Sequence, residues 1–191
     1  MQKHTVKIKS IKTHSDAVKT LYFTLPDGSV FDYVPGQYIT VYFEDSSTPE
    51  GKAYSLSSAP FESSMSITVK KIGEFTGKLH NLKVGDNLSI SVPYGFFNPL
   101  NDRPLVCIGA GVGIAPIWSI IKSDLQASSK RNIDFFYTNK YIGDVPFKSE
   151  QAELQANHDN YRFRGHLTRD ESAPKGFAKK RIDLDEAVSI D

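Results

Sequence analysis

The longest uncharged run of the chain, residues 105–121, is the feature that most limits how the chain can fold. Its length approaches that of a membrane span, but it contains three glycines and Pro116, and its periodicity changes partway along. A short apolar segment at 105–108 is followed by a glycine-rich stretch at 109–113 and then by a helical pattern at 115–125. This order predicts a buried strand, a tight turn and a helix, with no membrane span.

The glycine-rich turn is typical of sites that bind a dinucleotide pyrophosphate. Gly111 and Gly113, with Val112 between them, allow close backbone approach, and the start of the following helix favours negative charge. Pro116 suits a first helical turn, where its missing N–H needs no partner. It replaces the third glycine of the familiar fingerprint, and no acidic residue follows about twenty positions later at a strand end. The turn therefore differs from that of ordinary dehydrogenases, and taken alone it suits a packing turn equally well.

The rest of the pattern divides the chain near residue 100. Alternating residues predict strands in the first part at 6–11, 20–25, 37–43 and 66–69. Glycine and proline turns separate these strands, and a short helix is expected at 77–82. Beyond the division, two helices alternate with three strands at 105–108, 133–137 and 161–166. We predict an antiparallel β-barrel domain over residues 1–100, followed by a parallel-sheet α/β nucleotide-binding domain over residues 101–191.

The segment Lys52-Ala53-Tyr54-Ser55 has the chemistry of a flavin contact. A flavin needs a flat surface against its ring, polar groups at the ring edge and a cation near its phosphate. On a strand, residues two apart share a face, so Lys52 and Tyr54 point together, and a tyrosine presents a flat face with a polar tip. Taken alone, such a segment is more often only a half-buried barrel strand without a ligand.

A second candidate, Gly73-Glu74-Phe75-Thr76, has the chemistry of an anion site. A glycine followed by a hydroxyl residue at the start of a short helix offers outward-pointing N–H groups, a favourable helix dipole and one further donor. A threonine in this position more often only caps the helix. Together with Lys52, the segment suggests a phosphate site.

Composition excludes several other functions. The net charge is +1, so a nucleic-acid-binding function has no electrostatic basis. The only cysteine, Cys107, cannot form an intramolecular disulfide or hold a four-cysteine iron–sulfur cluster, and it is expected to be a small buried hydrophobe. The N-terminus lacks the apolar core of a signal peptide, so we expect a cytoplasmic protein. The histidines are scattered and predict no metal site, and no hydrolase elbow is present.

The three segments, in this order, resemble the motifs of the ferredoxin–NADP reductase superfamily. That family carries Arg-x-Tyr-Ser, Gly-x-x-Ser/Thr and Gly-x-Gly-x-x-Pro, which correspond here to residues 52–55, 73–76 and 111–116. Residues 35–38 and 93–97 also match, and Thr168-Arg169 and Lys180-Arg181-Ile182 resemble the later Ser-Arg and Gly-Arg-Ile/Val segments. The resemblance covers essentially the whole chain.

The resemblance implies a role for each matching residue. Tyr54 would stack on the isoalloxazine and Ser55 would lie near its N5, so these two are the expected catalytic residues. Thr168, Arg169 and Arg181 would meet the adenosine end, where arginines would favour the 2′-phosphate of NADPH over NADH. The cofactor-binding residues expected in the barrel domain are Lys52, Tyr54, Ser55, Leu56, Ser57, Thr68, Val69, Lys70, Gly73, Phe75 and Thr76. Those expected in the glycine turn are Gly111, Val112, Gly113 and Pro116.

The implied activity is electron transfer between NADPH or NADH and ferredoxin, flavodoxin or another electron-transfer protein, with FAD favoured over FMN. Lys52 departs from the family arginine, so a forked phosphate contact becomes a point charge. The family continues beyond the Arg181 region, so we expect the C-terminal end of the domain to be missing from this chain. Two alternatives stay open, a reductase component of a multi-chain oxygenase or similar system, and a flavin-free binding module on the same scaffold.

Overall fold

The computed structural model of the chain describes residues 2–99, 101–127, 131–183, 185 and 187. Its first part forms a six-stranded antiparallel sheet with the order β4-β3-β6-β1-β2-β5. Leu56 pairs with Ile67, and the Ser57 N–H donates to the Ser66 carbonyl at 2.8 Å, so the end of β4 reaches β5 and the sheet curls closed. The strands are β1 (His4–Ser15), β2 (Val18–Thr24), β3 (Tyr38–Tyr42), β4 (Lys52–Ser55), β5 (Met65–Lys70) and β6 (Asn87–Ile90).

Helix α1 (Glu74–Asn81) follows β5 and corrects the expected helix at 77–82. It begins three residues earlier because the Gly73 N–H donates to the Thr76 hydroxyl at 3.0 Å, and the Gly77 N–H donates to the Gly73 carbonyl at 2.8 Å. Gly77 therefore lies inside the helix despite its low helix propensity. Phe75 and Leu79 on this helix pack against the core of the barrel.

The second part is a parallel sheet with the order β10-β9-β8-β7. Its elements are β7 (Leu105–Ala110), α2 (Ile114–Gln126), β8 (Ile133–Asn139), α3 (Lys148–Asn157), β9 (Tyr161–Leu167) and β10 (Phe177–Ala178). The antiparallel barrel followed by a parallel α/β sheet confirms the predicted fold class. The two-residue strand β10 was not predicted, because it has too few residues to show a pattern and is held by packing against β9.

Side chains from both parts meet between the two sheets. The Ser119 hydroxyl donates to the Ser58 carbonyl at 2.5 Å, and Asp144 accepts from the Ser15 hydroxyl at 2.7 Å and lies 3.3 Å from the Lys70 ammonium. These contacts join the barrel to the middle of α2 and to the 3-10 turn Ile142–Asp144, and the turn Gly111–Gly113 that precedes α2 packs beside β5. Among the helices that the structure describes, none is both long and apolar enough to cross a membrane. The described residues contain no group of three or more potential metal ligands.

Candidate functional site

A cavity of about 540 Å³ lies between the barrel and the glycine turn. Its size is ordinary for a cofactor site. All three candidate segments line it, although they come from both sheets and lie far apart in the sequence. The predicted residues that line it are Lys52, Tyr54, Ser55, Thr68, Val69, Lys70, Gly73, Phe75, Thr76, Val112, Gly113 and Pro116.

The aromatic wall of the cavity consists of Tyr54 and Phe75. Their ring centroids are 6.2 Å apart and the rings are nearly parallel, at 20°. The Lys52 ammonium lies 5.3 Å from the Phe75 ring centroid, so Lys52 and Tyr54 share a face as the strand pattern predicts. Burial raises the pKa of Tyr54 to about 12, and its phenol therefore stays neutral at pH 7. The wall combines a flat surface with an adjacent cation.

The two lysines of the cavity have different electrostatic surroundings. Lys70 lies 3.3 Å from the Asp144 carboxylate, which partly neutralises it. Lys52 forms no ion pair with any residue that the structure describes, and its side chain is exposed on edge strand β4. Lys52 is therefore the cation best able to approach a phosphate.

The start of α1 supplies hydrogen-bond donors. The first N–H groups of a helix have no intrahelical partner and attract anions. The Thr76 hydroxyl is used within the turn, since it accepts from the N–H groups of Ile72 and Gly73 and lies 3.1 Å from the Gly73 carbonyl. The Thr76 hydroxyl is therefore not free to donate to a ligand, and the backbone N–H groups at the start of α1 are the available donors. The Glu74 carboxylate accepts from the Ser47 hydroxyl at 2.8 Å, a contact that holds it at one side of the turn.

The glycine turn joins β7 to α2 as a 3-10 turn over Gly111–Gly113. Gly111 has a φ of +51°, in the left-handed region, and its carbonyl accepts from the Tyr137 hydroxyl at 3.0 Å. Gly113 has a φ of −63° and borders the cavity, so its lack of a side chain leaves room there. Pro116 occupies the third position of α2. The turn thus brings a helix start towards the aromatic wall.

Other predicted site residues lie elsewhere. Leu56 is fully buried in the barrel core, and Ser57 is buried with its hydroxyl hydrogen-bonded to Ser66 and Thr68. Gly111 shapes the turn without lining the cavity. Thr168 and Arg169 follow β9, where their N–H groups donate to the carbonyls of Asn139 and Lys140, both at 3.0 Å, and Arg181 lies beyond β10. These last three are outside the cavity, near the edge of the parallel sheet.

Four cavity-lining residues were not predicted, namely Ala53, Ile72, Glu74 and Ala115. The sequence offers a clue for Ile72, because it is a large apolar residue next to the candidate residue Gly73. In the structure its side chain is 82% exposed at the cavity rim. Glu74 lies inside one of the candidate segments. Ala53 and Ala115 have no distinguishing chemistry, so only the folded arrangement reveals them.

These groups fit a flat cofactor that carries phosphate. The aromatic wall suits a ring system, Lys52 and the start of α1 suit a phosphate, and the glycine turn suits a second, dinucleotide ligand approaching from the other sheet.

Comparisons with known proteins agree with this division of the cavity. The family model of the oxidoreductase FAD-binding domain matches residues 5–98, and that of the oxidoreductase NAD-binding domain matches residues 107–189. Flavohemoprotein B of Dictyostelium discoideum is 34% identical over 181 residues, which are 84% of this chain and 42% of that protein. Reductase component 1 of the terephthalate 1,2-dioxygenase of Comamonas sp is 26% identical over 187 residues, 95% of this chain and 55% of that protein.

Solved structures share the architecture. The flavohem-like FAD/NAD-binding domain of nitric oxide dioxygenase from Vibrio cholerae has a TM-score of 0.84 and 29% identity, and the alignment covers 96% of this chain and 81% of that one. A ferredoxin NADP+ reductase from Neisseria gonorrhoeae, solved with FAD and NADP, has a TM-score of 0.79 and covers 98% and 80% of the two chains. At 21% identity, the second likeness shows the fold alone. The chain spans about two fifths of the length of the first curated relatives that it matches.

Proposed function

This chain belongs to the ferredoxin–NADP reductase superfamily, with an FAD-binding and an NAD-binding oxidoreductase domain, and we propose that it passes electrons between NAD(P)H and a one-electron carrier such as ferredoxin or flavodoxin. The cavity is the observation that carries the proposal. It brings Tyr54, the start of α1 and Gly113 to one place, although they come from two different sheets. A dinucleotide on the glycine turn and a flavin on the barrel would therefore face each other.

When bound, FAD supplies the ability to take up two electrons together and to release them singly. In the proposed assignment, the chain's own residues bind and orient the flavin and shield it from water. Tyr54 and Phe75 cover a ring face, Ser55 offers a hydroxyl at the ring edge, and Lys52 with the start of α1 neutralises phosphate charge. No side chain needs to exchange a proton for hydride transfer itself, so the neutral Tyr54 phenol fits a stacking role.

The domain boundary near residue 100 and a preference for NADPH are also part of the proposal. The first sheet lies within residues 4–90 and the second within residues 105–178, which supports the boundary. Arg169 is exposed at the carboxyl end of β9, where a guanidinium can grip a 2′-phosphate bidentately.

The chain matches only part of its longer relatives, and these relatives suggest more than one electron acceptor. Similarity to the reductase component of the Comamonas dioxygenase supports a second candidate, a reductase that serves an oxygenase on another chain. The flavohemoprotein relatives similarly support electron delivery to a haem domain. Stopped-flow reduction of purified ferredoxin, flavodoxin and an oxygenase ferredoxin by the FAD-loaded, NADPH-reduced chain would rank these acceptors.

A cytoplasmic location belongs to the proposal as well. The chain has a single cysteine, Cys107, which cannot form an intramolecular disulfide, and this fits a reducing compartment. Cell fractionation with an antibody against the chain tests this, and recovery in a membrane or secreted fraction would contradict it.

The central test is FAD binding followed by anaerobic reduction. The purified chain, incubated with FAD and desalted, is expected to be yellow, and its visible absorbance should fall on addition of NADPH more readily than of NADH. Tyr54→Ala should weaken FAD binding by up to roughly tenfold, since a stacked aromatic contact is worth about 0.5–1.5 kcal/mol. Tyr141→Ala is the matched control, because Tyr141 is 46% exposed and outside the cavity. A colourless protein, or equal FAD affinity in both variants, would overturn the proposal.

A further inference from the structure

A second large cavity, here called the α3 groove, lies between helix α3 and residues 174–177. It has a volume of about 680 Å³ and shares no lining residue with the flavin cavity. Its walls are mostly apolar and are formed by Ala152, Ala156, Phe163, Pro174 and Phe177. Because the side chains of Ala152 and Ala156 are small, this face of α3 leaves space for the groove along the helix.

The wall opposite α3 is held in place by aromatic packing. The Phe177 ring packs so closely over Gly165 that a Cβ at that glycine would lie 2.4 Å from the ring. Phe163 and Phe177 meet edge to face, with centroids 5.5 Å apart. Gly176 has a φ of +90°, a conformation that suits glycine and turns the chain into β10. This packing fixes the position of Phe177 and with it the shape of the groove.

One residue that lines the groove, Gln151, has a buried amide without a full set of hydrogen-bond partners. Gln151 is 1% exposed, and its amide oxygen accepts from the Tyr161 hydroxyl. Its amide nitrogen has no hydrogen-bond partner among the described residues. Exchanging the amide oxygen and nitrogen would only leave the other atom unpaired. An unpaired buried amide costs about 1–3 kcal/mol, so its place on the wall of a cavity points to a bound hydrogen-bonding group.

The charges around the groove have one sign. Lys148 and Lys175 line it, and within the described part of the chain no acidic residue does. The acidic residues of α3 face the other way, since Glu150 forms an ion pair with Lys12 and Glu153 borders a separate cavity beside Trp118. The groove thus combines apolar walls, two cationic side chains and an unpaired amide.

We propose that the α3 groove binds an amphipathic monocarboxylate. The apolar walls take up its aliphatic or aromatic part, and the carboxylate meets the lysine ammonium groups and the Gln151 amide. This binding is independent of the flavin proposal, because the two cavities have no residue in common.

The test uses the full chain and decanoate, with decylammonium as a probe of the same length and opposite charge, titrated calorimetrically. Decanoate is expected to bind saturably and decylammonium to bind at least about tenfold more weakly. The double variant K148Q/K175Q should weaken decanoate binding by about tenfold or more. The control K9Q/K83Q removes two exposed lysines of the barrel domain and should leave binding unchanged.

A groove-filling variant separates the site from general surface adsorption. Ala152 is exposed on α3, so Ala152→Phe should fold normally by circular dichroism while it blocks decanoate. Absence of saturable decanoate binding, equal affinity for decylammonium, or unchanged binding in both Ala152→Phe and K148Q/K175Q would overturn the proposal. FAD binding measured on the same samples shows whether the flavin site is intact.

Discussion

Two glycines of one turn should respond differently to the same substitution. Gly111 has a φ of +51° and Gly113 a φ of −63°, and a Cβ added at either position would meet no atom within 4 Å. A steric clash is therefore absent in both cases, and the backbone conformation alone decides the effect on stability. Only Gly113 lines the cavity, so the effect on ligand binding should follow the opposite order.

The magnitudes follow from the two backbone conformations. An alanine held in the left-handed region costs about 1–2 kcal/mol, and the reduced freedom of the unfolded chain returns about 0.4–1 kcal/mol. Gly111→Ala should therefore lower the free energy of unfolding by about 1 kcal/mol. Gly113→Ala has only the second contribution and should raise it by about 0.4–1 kcal/mol. Its methyl group would enter the cavity and weaken NADP+ binding by about tenfold or more.

Urea denaturation followed by tryptophan fluorescence measures the stability change. Trp118 is the only tryptophan of the chain, is 2% exposed and lies on α2, directly after the turn. Calorimetric titration of the FAD-loaded protein with NADP+ measures the binding change. Equal destabilisation by the two substitutions, or a greater loss of NADP+ affinity in Gly111→Ala, would refute the reasoning.

Three further substitutions test other parts of the structure. Gly36→Ala would place a Cβ 1.7 Å from the Phe97 carbonyl oxygen at a φ of +90°, and should lower the free energy of unfolding in urea by about 3–5 kcal/mol. Gly28 has a similar φ of +88° but open space around it, so Gly28→Ala should cost only about 1 kcal/mol. Burial, followed by the nearby cation of Lys12, lowers the pKa of His14 from 6.5 to about 4, so the unfolded chain binds a proton in this range that the folded chain does not. The free energy of unfolding should thus fall as the pH drops from 6.5 to 4, by about 2 kcal/mol for a partly exposed group, and a His14→Gln variant with an unchanged pH profile would contradict this. Lys52→Arg should tighten FAD binding in fluorescence titrations, because a guanidinium can bind a phosphate bidentately. Lys52→Met should weaken FAD binding, because a thioether carries no charge. Equal FAD affinities in the three proteins would show that Lys52 does not contact the phosphate.

The fold could be predicted because its signals are local and repeated. Alternation marked the barrel strands, and the change to a strand–turn–helix pattern after residue 100 marked the parallel sheet. Strand β10 escaped prediction, since Phe177 is held mainly by its packing over Gly165. The start of α1 was misplaced because the hydrogen bond between Thr76 and Gly73 overrides the weak helix propensity of Gly77.

The candidate site divides in the same way. Motif order and residue chemistry by themselves were enough to propose Tyr54, Gly73 and Gly113 as site residues, because stacking, anion binding and a tight turn each need particular residue types at fixed local spacing. Only the tertiary structure decided that these residues share one cavity, and that the Leu56 side chain is buried in the barrel core. It also decided which cation is available, since the ion pair of Lys70 joins residues distant in sequence. Local conformation depends on neighbours along the chain, whereas burial and ion pairing depend on which distant segments the closed barrel and the parallel sheet bring together.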